Sequence, residues 1–386
     1  MQSAMLAPMV TTASLHSIRL FYAAYFAAMG LILPFFPIYL AERGLDVVMI
    51  GVMTGLLAVA KIVSPPWVGY LADRRTSGHS RRFIVGASLL AALFALGMNY
   101  VADIWWLATV VLLFGVLWAA ILPLTDGLSV SVSEAALADY GRLRVWGSIG
   151  FVLASLAGGA WLVGGNMGQF PWWILGLMLI LALAARGFPS QHLVSDTHES
   201  ADVKFGRPFI ILLMVSFLMQ VSHGAYYGFY SLYLVEIGYQ GWQIGAFWVL
   251  GVVAEIVLMW GWSRPLQQMA PAWILSFALF LTAIRWLGIG STEIWYGLAL
   301  WQLLHAASFA AFHLSAIAWV KRLAPVNRHA TAQGWYSASG FGLGSTVGIM
   351  GCGVIVASGG YSQAFYLCAA VAVVGMLLAW KLPRQV

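Results

Sequence analysis

The chain has 386 residues, 62% of them hydrophobic and only 8% charged, with a formal net charge of +6 and 19 tryptophans. Water-soluble domains carry roughly a quarter charged residues, so a soluble enzyme or a disordered chain is excluded and an integral membrane protein is implied. A pI near 9.4 then reports topology and contact with anionic lipid head groups rather than binding to nucleic acid.

Near-continuous apolar windows of about 20 residues, the length that crosses a bilayer as helix, recur along the whole sequence. In chain order they predict spans at 18–41, 47–71, 83–101, 104–133, 143–165, 169–187, 207–235, 242–262, 272–290, 294–322, 330–357 and 361–381. The predicted fold class is therefore all-α, a polytopic membrane protein of twelve transmembrane helices. The first 17 residues lack a basic n-region, and the first span is expected to remain in place. With the N-terminus inside, the 19 basic residues gather on one side. Only Arg43 falls outside, while Lys61 and Arg285 sit within spans, which is the bias expected of cytoplasmic loops. Both termini are thus expected on the cytoplasmic side of the membrane. Cys352 and Cys368 fall inside the last two spans without CxxC or metal spacing and read as packing residues.

A polar stretch, FPSQHLVSDTHESADVKFGRP at 188–208, separates six spans from six. It divides the sequence into an N-terminal bundle at 1–187, a cytoplasmic linker at 188–206 and a C-terminal bundle at 207–386. The two halves share sequence. Laying 39–61 on 233–255 without a gap places Tyr39 on Tyr233, Leu40 on Leu234, Glu42 on Glu236, Gly44 on Gly238, Ile50 on Ile244 and Gly51 on Gly245. A parallel six-span repeat of this kind resembles the major facilitator superfamily, and the resemblance implies a solute site near the membrane midplane between two pseudo-symmetric bundles. GYLADRR at 69–75 resembles that family's loop after span 2, with Gly69 allowing close approach and Asp73 and Arg74 acting as gate and topology residues beside Arg142.

Ionisable residues inside spans are costly and mark solute or ion pathways. Here they are Lys61, Asp126, Arg144, Glu255 and Arg285, with His223, His305 and His313 as titratable additions. Residues equidistant from a helical hairpin's turn share a depth, and on that basis Asp126 meets Arg144, Glu255 meets Arg285, and Arg285 meets His305. The repeat places Lys61 and Glu255 at equivalent positions with opposite charge. His313 reads as a core histidine bonded to a neighbour. In span 7, Tyr227 and His223 are expected to face the solute, with other tyrosines of SHGAYYGFYSLYL packing between helices.

YGRLRVWGSIGF, VVAE, AIRWLGIG and WQLLH resemble the site segments of lactose permease and the oligosaccharide:proton symporters. LPLTDGL, DYG, HGAYYGF and LGVVAE resemble still more closely the 3-phenylpropionic acid permease-like branch of the superfamily. This resemblance implies a protein of the bacterial inner membrane in which Asp126 and Arg144 bind substrate, and Glu255, Arg285 and His305 bind substrate and couple a proton. Phe151 stands where the permease has a tryptophan that stacks on sugar, Ser308 where it has a glutamate, and Gln302 where it has a lysine, which argues against a sugar.

Three basic groups (Lys61, Arg144, Arg285) against two acids (Asp126, Glu255) leave one excess positive charge, suited to a monoanion, and the abundant aromatic rings suit an aromatic one. The expected function is proton symport of an aromatic monocarboxylate such as 3-phenylpropionate by alternating access. The expected substrate-binding residues are Lys61, Asp126, Arg144, Phe151, His223, Tyr227 and Arg285. Glu255, Arg285 and His305 couple the proton. A sugar or nucleoside:proton symporter and a proton-driven exporter of amphipathic compounds are the alternatives. With no metal spacing, nucleophile triad or phosphate loop, no enzyme and no cofactor beyond the coupling proton are expected. The expected partners are a small-molecule substrate and membrane lipid, with no nucleic acid, and the protein is expected to be monomeric.

Overall fold

The computed structural model describes residues 12–74, 78–135, 140–188, 205–325 and 328–384, and among these every regular element is helical. The helices are α1 (Thr12–Glu42), α2 (Val47–Arg74), α3 (Gly78–Tyr100), α4 (Ile104–Ala135), α5 (Tyr140–Trp161), α6 (Phe170–Arg186) and α7 (Arg207–Ser222). They continue as α8 (Gly224–Glu236), α9 (Gly241–Gln268), α10 (Pro271–Ser291), α11 (Trp295–Leu303), α12 (Phe312–Leu323), α13 (His329–Ser337) and α14 (Ser345–Ala379). Side chains such as Leu93, Leu183 and Val257, each about three-fifths exposed, give the helices an apolar outer surface suited to lipid rather than water.

Among the described residues, eleven helical stretches are long and apolar enough to cross a membrane. The last, Thr331–Ala379, has 49 residues, roughly 74 Å at 1.5 Å per residue, more than twice a hydrocarbon core of about 30 Å. It breaks at Gly360, whose φ of 81° and ψ of 175° are non-helical. It is therefore two crossings, and the predicted twelve are accounted for. Three further spans are irregular. Span 7 is interrupted at His223 (φ −88°, ψ 2°) between α7 and α8. Spans 10 and 11 contain π-helical segments at Ala306–Ala311 and Ala338–Gly344, a wider turn often found at functional sites.

The repeat is visible in backbone geometry. After α1, Gly44 has φ 82°, its N–H donates to Ala41 O and the Leu45 N–H to Leu40 O. After α8, Gly238 has φ 89°, its N–H donates to Val235 O and the Tyr239 N–H to Leu234 O. Both are Schellman caps, which need a residue in the left-handed region and so favour glycine.

One sequence expectation changes. The GYLADRR segment is not a loop through Arg74, because Gly69–Arg74 form the last turns of α2; only Arg75 falls outside the described residues. Of the linker, 189–204 lie outside the described residues.

Contacts divide the chain into two compact units. Unit 1 comprises Met1–Ile32, Val63–Ala157 and Gly168–Thr197, and unit 2 comprises Leu33–Ile62, Gly158–Met167 and His198–Val386. The division differs from the sequence halves, since two segments of the first half group with the second. The reason is backbone packing within unit 2. Gly51 of α2 lies against the backbone of Ile349 and Gly353 in α14, and Gly159 lies against the backbone of Gly241, approaches that small residues permit in membrane helices. In unit 1, α3 packs on α4 and α6, and α5 lies tight on α1 where Gly150 faces the backbone of Ala23. In unit 2, α14 packs on α7, α8 and α10.

Candidate functional site: two charged clusters within membrane helices

In unit 1, the close contact of α5 with α1 sets the position of Arg144, which projects beside the rings of Phe26 and Tyr22, at 5.6 and 5.9 Å from their centroids. Its Nη1 donates to both oxygens of Asp126, at 3.1 and 3.0 Å, and lies 2.9 Å from the Tyr140 hydroxyl. Tyr22 and Tyr140 also donate to Asp126 Oδ1, at 2.6 and 3.1 Å. A single guanidinium nitrogen thus carries every hydrogen bond that Arg144 makes among the described residues. The edge formed by Nη2 and Nε remains open, and the side chain is 41% exposed. A guanidinium can receive a second carboxylate on such an edge through two parallel N–H···O bonds.

In unit 2, Arg285 of α10 is fully buried. Its Nη2 donates to Gln302 Oε1 at 2.6 Å, and its Nη1 to Ser308 Oγ at 2.9 Å and to His305 Nδ1 at 2.7 Å. The faces of Tyr226 and Trp286 flank it at 4.3 and 4.5 Å, favourable for a cation removed from water. The other nitrogen of His305, Nε2, lies 2.6 Å from Glu255 Oε1. Arginine can only donate, so Nδ1 of His305 is an acceptor and carries no proton. The imidazole is consequently neutral, with its proton on Nε2 donated to the Glu255 carboxylate. Arg285 and Glu255, expected as a direct pair, are instead joined through the imidazole, and no carboxylate lies within ion-pair distance of Arg285 among the described residues. Gly251, one turn before Glu255 on α9, makes room for this: a Cβ there would lie 3.0 Å from His305 Cδ2.

The remaining expected residues are less engaged. Lys61 forms no hydrogen bond or ion pair among the described residues; its neighbour Ile62 packs on Gly342 of the second π-helical segment. His223 is buried, donates from Nδ1 to Met219 O at 2.8 Å and stacks with Tyr227 at 5.6 Å. Phe151 is buried in unit 1 with 5% exposure, whereas Arg142 is exposed in the first turn of α5. Gly69, Asp73 and Arg74 lie on α2 as described above. His313 shares a 2.9 Å hydrogen bond with Tyr336, the structural role expected. The two cysteines read as packing residues meet each other, their sulfurs 3.6 Å apart.

Sequence reasoning missed Tyr22 and Tyr140, placed Tyr226 among the packing tyrosines of span 7, and treated Gln302 and Ser308 only as departures from a pattern. A local signal existed for three of them. Tyr140 precedes Arg144 by four residues, and Gln302 and Ser308 flank His305 at three, spacings that bring side chains to one helix face. Tyr22 and Tyr226 come from other helices and had no such signal.

A model of the MFS_1 like family matches residues 15–367. The chain belongs to this family. As a family member it is a multi-pass membrane protein and a secondary transporter, not an enzyme. Among its relatives, the probable 3-phenylpropionic acid transporter of Escherichia coli (strain K12) is 29% identical over 314 residues, covering 78% of this chain and 80% of that protein. The maltose permease of Geobacillus stearothermophilus is 27% identical over 376 residues, covering 95% and 94%. The crystal structure of the nucleoside transporter NupG has the same fold, with a TM-score of 0.82 at 16% identity, covering 97% of this chain and all of that one.

Proposed function

We propose that this MFS_1 like transporter is a proton symporter of an aromatic monocarboxylate such as 3-phenylpropionate, working by alternating access in a bacterial inner membrane with both termini in the cytoplasm. The observation that carries the reading is the open edge of Arg144. A carboxylate docks there with both oxygens, while Asp126 holds the opposite edge and the rings of Phe26 and Tyr22 offer apolar faces to the aromatic body of the solute. The relation to a probable 3-phenylpropionic acid transporter supports the same solute class.

Coupling resides in the chain Arg285–His305–Glu255. Because both imidazole nitrogens are committed, an incoming proton is received by Glu255 Oε2, which accepts no hydrogen bond among the described residues, leaving the His305 bond to Oε1 in place. The intramembrane ionisable groups then gain one positive charge, which the monoanion at Arg144 offsets. Loaded and empty carriers carry equal charge, so neither is penalised more than the other for reorienting in a low-dielectric medium. No cofactor takes part beyond the proton.

The cycle is electroneutral, and that separates it from a sugar or nucleoside symporter, the reading favoured by the long match to a maltose permease. A proton carried with a neutral solute moves net charge, and the membrane potential acts on net charge at about 2.3 kcal/mol per 100 mV. The test is uptake of radiolabelled 3-phenylpropionate into vesicles containing the purified protein. An inward proton gradient is expected to drive accumulation, and an imposed potential without a pH gradient to have no effect. Potential-driven uptake of maltose or a nucleoside, with no carboxylate uptake, would overturn the proposal in favour of its rival.

A further inference from the structure

Away from the charged clusters, two cavities lie on α9 and the span formed by α11 and α12. One, of about 560 Å³, is lined by Arg264, Lys321, Arg322 and His329 together with Gln267 and Gln268. Among the described residues no acid lines it, and none of its basic side chains enters an ion pair. The other, of about 550 Å³, is apolar, with Ala254, Val257, Trp260, Gly261 and Trp262 on one wall and Ala306 on the other.

The two cavities share a helix face. Ala254, Val257 and Gly261 follow one another at spacings of three and four residues, and Arg264 and Gln268 continue the same stripe. The apolar groove and the basic pocket thus follow one another along one face of α9, Gly261 ending the first and Arg264 beginning the second. A Cβ at Gly261 would meet nothing within 4 Å, so the groove is open at the junction. Trp260 and Trp262 are 91% and 64% exposed there, the kind of aromatic pair that marks the interface between hydrocarbon and head groups. The Arg322 guanidinium lies 5.0 Å from the ring of Trp319.

A pocket with four basic and no acidic residues among its described lining, next along the same helix face to an apolar groove flanked by exposed tryptophans, matches one molecule in both charge and shape. We propose that this face is a binding site for an anionic glycerophospholipid, its phosphate held by Arg264, Lys321, Arg322 and His329 and one acyl chain lying in the groove past Gly261. The chain reaches Ala254 and Ala306, the immediate sequence neighbours of Glu255 and His305. The lipid therefore braces, from the membrane side, the two helices that carry the proton relay. The proposal stands apart from the identity of the solute.

The test uses the purified full-length protein in neutral detergent, titrated with phosphatidylglycerol, with phosphatidylcholine of the same chains, and with glycerol 3-phosphate, which has the head group but no chains. Binding is read by native mass spectrometry and thermal unfolding. Phosphatidylglycerol is expected to bind with 1:1 stoichiometry and raise Tm more than phosphatidylcholine. Each basic residue near a lipid surface contributes about fivefold in affinity, so Lys321→Gln weakens binding by about that factor and Arg264→Gln/Lys321→Gln/Arg322→Gln by roughly a hundredfold. Gly261→Phe fills the groove from an open position, and is expected to lower phosphatidylglycerol affinity while leaving Tm without lipid unchanged. Equal binding of phosphatidylcholine, undiminished binding by Lys321→Gln and Gly261→Phe, or a glycerol 3-phosphate effect as large as that of phosphatidylglycerol would each overturn it, the last by showing a site for a free anion.

Discussion

Replacing Arg144 is the most direct perturbation of the proposed solute site, and its size can be worked from the geometry. In the wild type, Nη1 is spent on Asp126 and Tyr140, so the solute carboxylate relies on Nη2 and Nε. Two hydrogen bonds to a charged partner contribute about 1.5 to 3 kcal/mol each. At 41% exposure the lower end applies, giving about 3 kcal/mol, or roughly a 150-fold loss of affinity. Arg144→Gln is therefore expected to raise KM for 3-phenylpropionate uptake by about two orders of magnitude and to abolish the thermal stabilisation that saturating solute gives.

Fold damage should be small, since Asp126 is 30% exposed and keeps its bonds from Tyr22 and Tyr140. Partly exposed ion pairs contribute only about 0 to 1 kcal/mol. Arg144→Lys is expected to fall much nearer to Gln than to Arg, because a lone ammonium is a point charge that Asp126 already engages and that has no second edge. Uptake kinetics and thermal shift with and without solute measure all of this. If Arg144→Gln took up the carboxylate with a KM within threefold of wild type, the open edge would not be the docking site.

Three further outcomes follow from the other cluster. Glu255→Gln preserves an acceptor for His305 Nε2 and is expected to retain solute exchange across vesicles while losing accumulation driven by a pH gradient; accumulation at the wild-type level would contradict it. Gly251→Ala brings a methyl to 3.0 Å from His305 Cδ2; the ring must shift by tenths of an ångström against a 2.6 Å bond, so a several-fold fall in gradient-driven uptake and about 1 kcal/mol or more of lost stability are expected, and an unchanged pH response would count against the relay. Gln302→Leu strips the buried Arg285 of its 2.6 Å acceptor and is expected to cost about 1 to 3 kcal/mol, whereas Gln302→Glu, which restores an acceptor, should unfold closer to the wild-type temperature.

Much of the fold was legible because lipid imposes a coarse rule on the sequence: apolar runs of one length, with basic residues on one side. The Gly44 and Gly238 caps were legible as a repeat, since only certain residues tolerate the left-handed turn that both copies require. The interruptions were not. Nothing in AASFAA or ASGFGLG distinguishes a π-helical turn from an α-helical one, since both runs fit either. The same limit applies to the site. Hairpin geometry brought Asp126 to Arg144, as it does any pair equidistant from a turn. It also predicted a direct Glu255–Arg285 pair, which fails because depth says nothing about azimuth around the helix. The small residue at Gly251 admits the ring of His305, and the imidazole takes the place between the two charges.

That intervening ring also bears on which acid carries the proton in the proposed cycle. Asp126 has Oδ1 bonded to Tyr22, Tyr140 and Arg144 and Oδ2 bonded to Arg144. Protonating it gives up charge-assisted bonds on both oxygens, including those to a guanidinium. Among the described residues Glu255 accepts a single bond, from a neutral imidazole, on Oε1. A proton arriving at its other oxygen displaces nothing, while the charge it cancels was balancing Arg285 one ring away. Protonation at Glu255 thus alters the electrostatics around a fully buried cation without dismantling the contacts that position it, which is what a coupling site needs to do repeatedly. The contrast is measurable. Asp126→Asn is expected to weaken solute binding and leave the remaining transport driven by the pH gradient, whereas Glu255→Gln loses the gradient response and keeps binding. If the two phenotypes were exchanged, the proton would belong to the Arg144 cluster.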